Sequence, residues 1–143
     1  VLTLSAQRVI GYREVLAARG LPYDERLVVR GRFDYASGQE AAEILFALPE
    51  PPTAIFACND LMAIGVILRL QEAGLRVPED VAVVGFDDIP EARIVRPTLT
   101  TIIHDASDIG YKLAKLLFER IEDPGLPQRR ITSTWGIAVR DST

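Results

Sequence analysis

The sequence predicts an α/β domain, a doubly wound and mostly parallel sheet flanked by helices. Three observations predict it. Apolar runs at 53–57 and 81–84 are unbroken, as in strands buried on both faces. Helical patterns alternate with those runs along the chain. Both runs empty into loops rich in acidic or amide side chains, Cys58-Asn59-Asp60 and Gly85-Phe86-Asp87-Asp88. The carboxyl ends of parallel strands are where such sheets bind ligands, so the loops mark a candidate small-molecule site.

Leu2 to Arg19 reads as an amphipathic helix, with Ser5 as N-cap, Val9, Ile10, Tyr12, Val15 and Leu16 on its apolar face, and Gly20 and Pro22 as its stop. Leu27-Val28-Val29 is a short β-branched strand left through Gly31. Ser37 caps a second helix, Gly38 to Ala47, with Ala41, Ile44, Leu45 and Leu48 inward, and Pro49, Pro51 and Pro52 close it. The strand Thr53 to Ala57 follows. Asn59 or Asp60 then caps a helix that runs to Ala73 and ends at Gly74. Val81 to Val84 and Thr100 to Ile103 are further buried strands. Asp105 or Ser107 caps a helix through Ile121, with Ile109, Leu113, Leu116, Leu117 and Ile121 on one side, broken at Asp123-Pro124-Gly125. Ile131 to Val139 is a last, more exposed strand. The first helix has no strand before it, so the opening βα unit reads as cut.

A chain of 143 residues supports one domain with a core of its own. With 48% apolar and 25% charged residues it is globular rather than disordered. No apolar run approaches the ~20 residues of a bilayer span, and no export signal opens the sequence. The single Cys58 forms no internal disulfide, which suits a reducing cytoplasm. A net charge of −4 without a Lys/Arg cluster makes the chain a poor phosphate-neutralising surface, so it is not itself expected to bind DNA.

The segment Leu61 to Leu70 is apolar on nearly every face. A surface helix keeps one polar side, so this one needs cover on two. The sheet supplies one cover, and the second is either a partner subunit or another helix of the same chain. The expectation is a homodimer through Leu61, Met62, Ile64, Gly65 and Leu68, with Ile89 added to the same surface.

The stretch PTAIFACNDLMAIGVILRLQEAGLRVPEDVAVVGFDDI, followed by RPTLTTI, strongly resembles the effector-binding region of LacI/GalR-family transcriptional regulators. The opening SAQRVIGYREVLAARGL, the central RGRFDYASGQEAAEILFALPEPPTAIF and the closing AVRDST fit the same family, so the resemblance covers essentially the whole chain. It implies a periplasmic-binding-protein-like fold. It also implies a chain that corresponds to the C-terminal part of the effector-binding and dimerisation domain, residues 1–143. The DNA-binding helix-turn-helix and most of the N-terminal subdomain would lie outside it. The implied function is sensing of a small effector, a sugar above all although purines also occur, in a cleft between subdomains. DNA would be contacted only through the N-terminal domain. The alternative is a sugar-binding component of a transporter, which would share the fold and the cleft.

The candidate ligand residues are Arg8, Phe33, Asn59, Asp60, Asp87 and His104. By resemblance Arg8 reaches the effector, and its planar fork suits vicinal hydroxyls or a carboxylate. By resemblance too, Phe33 stacks on a flat ligand face; as an ordinary core residue it would do no more than pack. Asn59 and Asp60 divide helix capping and cleft contact between them, with Asp60 the favoured cleft residue. Asp87 at the next strand end accepts hydroxyl hydrogen bonds, and Asp88 serves the turn. His104 stands where the family often has Gln. No metal-ligand spacing surrounds it, and no cofactor is expected. Adjacent Asp87 and Asp88 would point to opposite faces of a strand, a poor carboxylate pair. With no G-x-S-x-G, P-loop or G-x-G-x-x-G present, the sequence argues against an enzyme.

Overall fold

The computed structural model describes residues 4–143. Four helices and four strands follow one another as α1 (Leu4–Ala18), α2 (Tyr35–Phe46), β1 (Ala54–Phe56), α3 (Asp60–Glu72), β2 (Ala82–Phe86), β3 (Thr100–His104), α4 (Ala106–Glu122) and β4 (Trp135–Ala138). Single 3-10 turns occupy Glu25–Leu27 and Pro90–Arg93. The sheet runs in the order β1-β2-β3-β4, parallel across the first three strands and antiparallel at β4. This is the mixed, mostly parallel α/β architecture the alternating pattern predicts. Because β1, β2 and β3 are parallel, the loops after all three open on one end of the sheet.

One face of the sheet carries the core. Ile55, Val83, Gly85 and Thr101 share that face by register, and α3 lies on it through Ala63, Val66, Ile67 and Leu70. On its far side α3 meets α2 at backbone distance. A Cβ on Gly38 would stand 2.2 Å from the Met62 carbonyl oxygen, and one on Gly65 2.2 Å from that of Tyr35. Helix α2 thus supplies a second cover for α3, with Gly65 buried between them, while Ile64, 6% exposed, borders an open apolar patch with Leu68. Leu61, Met62 and Ile89 are half-buried, and Leu68 alone of the expected interface is exposed.

The chain's end stitches the sheet where β2 and β3 diverge. Ser142, fully buried, donates its Oγ to the Val83 carbonyl at 2.6 Å and accepts the Thr100 amide at 2.8 Å. Its own carbonyl takes the Val83 amide, and its amide reaches Thr98. The AVRDST motif therefore works as an interstrand filler that satisfies backbone groups otherwise orphaned at the strand entries.

Several local expectations are corrected. Ser5 lies inside α1 rather than capping it. Val28 is extended, but no ladder forms at Leu27-Val28-Val29, where a 3-10 turn capped by Asp24 takes over; β-branching favours extension but cannot supply a pairing strand. Asp34, not Ser37, caps α2, its Oδ1 accepting the Ser37 amide at 2.7 Å. Ile44 is exposed and Ala42 takes its place in the core. No residue of strand β1 is fully buried, Ile55 being half-buried on the core face and Phe56 half exposed, and the last strand is confined to 135–138. No described side chain of α1 or α4 is buried, so the apolar stripes of both helices remain partly open. A stripe dictates that a helix should bury one side, not what covers it. No helix among the described residues is long and apolar enough to cross a membrane.

Candidate functional site

Strand register brings the site together. Phe86 ends β2 and pairs with Ile102, which places it diagonally across from His104 on the sheet face opposite α3. Their rings meet edge-on, 5.6 Å between centroids. From α1, Arg8 lays its guanidinium over the Phe86 ring at 3.9 Å and donates Nη1 to the Cys58 carbonyl at 2.6 Å. That bond ties α1 to the exit of β1, and the stacking is of the kind worth about 0.5–2 kcal/mol.

Asp87 joins this group through an unusual backbone. A continuing strand would turn it to the face away from Phe86. Instead its φ is 117°, and that of Asp88 is 54°. The alternation breaks, and the Asp87 carboxylate comes 3.8 Å from His104 Nε2. Burial pushes its carboxyl above the ordinary range, while His104 and Arg8 pull the other way. On the histidine's other side, Nδ1 is buried with no hydrogen-bond partner among the described residues. Arg8, Phe86, Asp87 and His104 thus combine a cation, an aromatic face, a carboxylate and an unsatisfied imidazole nitrogen. Such a mixture suits a small polar ligand with an apolar face.

Asn59 and Asp60 are built differently from the expectation. Asn59 spends both ends of its amide within the fold. Its Oδ1 accepts the Met62 amide at 3.0 Å as the cap of α3, and Nδ2 donates to the Phe33 carbonyl at 3.1 Å. Asp60 is 0% exposed and does not face a cleft. Its Oδ1 accepts the Thr101 hydroxyl at 2.5 Å and its Oδ2 the Ile89 amide at 2.9 Å. Burial pushes its carboxyl up, and those two hydrogen bonds oppose the rise. Only glycine fits opposite: a Cβ on Gly85 would lie 2.2 Å from Asp60 Oδ1. Asp60 is therefore an internal strut between α3, β3 and the loop after β2. It is sealed from the rim because it stands at the first turn of a helix that lies on the core face. Of the expected ligand residues Asp60, Asp87 and Phe33, Asp87 alone joins the Arg8 and His104 group, and Phe33 is tied to Asn59 through its carbonyl.

Phe33 is 48% exposed and adopts φ 64°, a left-handed conformation uncommon for a bulky residue. The Asn59 bond to its carbonyl and the Asp34 cap just after it hold this turn. The ring is not in the core, which leaves it open to contact. Asp88, expected to serve the turn, instead forms ion pairs with Arg93 and Arg140. Two participants escaped the sequence reading. Phe86 could have been found by carrying the alternation of β2 one residue past Gly85. Arg140 gave no local signal, because its partner is fifty-two residues away.

Comparison with known proteins identifies the family and supports the fold. The periplasmic binding protein-like domain model matches residues 2–143, and the chain belongs to that family. Its relatives are LacI-family regulators. It is 38% identical over 143 residues to the HTH-type transcriptional repressor PurR of Haemophilus influenzae (strain PittEE), covering 98% of this chain and 43% of the repressor. A solved complex of the transcriptional regulator CelR with cellobiose matches with a TM-score of 0.88 at 40% identity, over 95% of this chain and 42% of that one. A LacI-type transcription regulator from Bifidobacterium animalis subsp. lactis matches with a TM-score of 0.90 at 34% identity, over 96% and 50%. The chain thus spans about two fifths of the length of the curated relatives it matches. Those relatives are named as regulators of transcription.

Proposed function

We propose that this chain is the C-terminal part of the effector-binding and dimerisation domain of a LacI/GalR-type transcriptional regulator. In this reading Arg8, Asp87 and His104 hold the hydroxyls of a small effector, a sugar above all, while Phe33 and Phe86 contribute apolar faces. The observation that carries it is the convergence of Arg8, Phe86, Asp87 and His104, with the orphaned His104 Nδ1, at the carboxyl ends of the parallel strands. Asp87 and Asp88 diverge toward different partners, so they form no acid/base pair, which favours a binding role over catalysis. The repressor names of the relatives favour a regulator over a transporter component. Effector binding would close the site against a second subdomain and shift a dimer between two states, with DNA contacted in the cytoplasm by an N-terminal head.

The test is calorimetry on the full-length regulator with a panel of mono- and disaccharides, cellobiose included, and nucleobases in parallel. At least one sugar should bind, and Asp87→Asn should weaken it tenfold or more, about 1.4 kcal/mol, by removing a charged acceptor. Uniform absence of binding, or full affinity in Asp87→Asn, would sink the assignment. Residues 1–143 alone should bind the same sugar far more weakly, because half of the cleft's contacts come from elsewhere.

A further inference from the structure

We propose that Asp88 is a positioning residue, which, clamped by Arg140 and Arg93, holds the Asp87 carboxylate against His104. Two consecutive non-glycine residues in the left-handed region are strained, and such segments persist only where their surroundings over-determine them. Here the anchors can be counted off along the loop. The Asp87 amide donates to the Ile102 carbonyl at 3.0 Å. The Ile89 amide donates to Asp60 Oδ2 at 2.9 Å. Between them, the Asp88 backbone has no hydrogen-bond partner among the described residues, and Asp88 relies on its side chain. Its Oδ2 accepts Arg93 Nη2 at 2.7 Å, and its Oδ1 accepts Arg140 Nη2.

The two arginines are not equivalent. Arg93 is 66% exposed, so solvent and salt screen its pairing. The Arg140 side chain is 17% exposed against 9% for Asp88. Arg140 is fixed independently: its Nη1 donates to the Leu99 carbonyl at 2.7 Å, and its amide reaches Thr100 Oγ1 at 2.8 Å. A residue two places beyond β4 thereby fixes the loop that leaves β2. Burial would raise the Asp88 carboxyl, but the bonds from Arg140 and Arg93 outweigh it and hold it below its ordinary range. Asp88 is thus a nearly buried carboxylate, 9% exposed with each oxygen held by an arginine, and next in sequence to the carboxylate proposed to contact the effector.

A simple turn-former predicts something else. Asparagine tolerates left-handed φ as well as aspartate does and makes the same side-chain turn, so Asp88→Asn would be harmless in a turn role. It would be harmful in a clamp, because it removes the charge that both guanidiniums need. His104 is the only histidine among these 143 residues, and in the full-length protein its ring signals in a nitrogen-15 NMR spectrum are assigned by their loss in His104→Gln. In the full-length protein at neutral pH, without ligand, Asp88→Asn should displace those signals by at least half the displacement seen in Asp87→Asn. Arg140→Gln should do the same, and the double variant should add little. Unmoved His104 signals in Asp88→Asn overturn the proposal, whatever its melting temperature does. Should that variant fail to fold, Arg140→Lys, which keeps the charge but loses the planar fork, is read instead: displaced signals support the clamp and unmoved signals refute it. The proposal rests on the reading of Asp87 as an effector contact. The NMR readout needs no effector, so failure of the clamp and failure of effector binding are seen separately.

Discussion

Single carboxylates take opposite roles here according to their surroundings. Asp60, Asp87 and Asp88 look alike in sequence, each at a strand exit. In the fold Asp60 is sealed beneath Gly85, Asp87 is half open beside His104, and Asp88 is locked between arginines. Burial raises the first two carboxyls, whereas two guanidiniums lower the third. Asp60→Ala would leave the Thr101 hydroxyl and the Ile89 amide without their acceptor. Even after relief of the buried charge, the expected cost is about 2–4 kcal/mol, measured by urea denaturation. A change under about 0.5 kcal/mol would show that water replaces the carboxylate and that Asp60 is no strut.

Among the elements, the pairing of α2 with α3 is the firmest and the seating of α4 the loosest. Glycines report the contrast. Gly65→Ala should drive a methyl into the Tyr35 carbonyl and cost about 1–3 kcal/mol net, since neither backbone can yield without parting the helices. Gly110→Ala in α4 meets no atom within 4 Å and should stabilise by about 0.5–1 kcal/mol through helix propensity alone. Thermal denaturation of the two variants should therefore move in opposite directions. Equal shifts would contradict the close crossing. The boundaries of α3 were readable because Asn59 and Gly74 are strong punctuation at its two ends. The strand at 27–29 was misread because extension needs a neighbour that local sequence does not specify.

For the molecule as a whole, the uncovered apolar area decides assembly. One open apolar patch beside α3 is formed by Tyr35, Ile64, Leu68, Ile94 and Val95, with Ile94 72% exposed. If the proposed dimer uses this patch, Ile94→Glu in the full-length regulator should shift sedimentation from dimer to monomer without loss of secondary structure. An unchanged dimer would place the interface elsewhere.

The sequence by itself determined the alternation of helices and strands, the end of the sheet on which the loops collect, and the family whose motifs those loops carry. These follow from local periodicity, capping residues and motif spacing, all of which are written along the chain. Only the tertiary structure decided which acid stands beside His104 and which disappears into the core. It also showed that α2 packs closely against α3, and that Arg140 reaches back to Asp88. Those outcomes depend on left-handed turns and on contacts between residues far apart in sequence, where burial and charge pairing, not local propensity, set the energy.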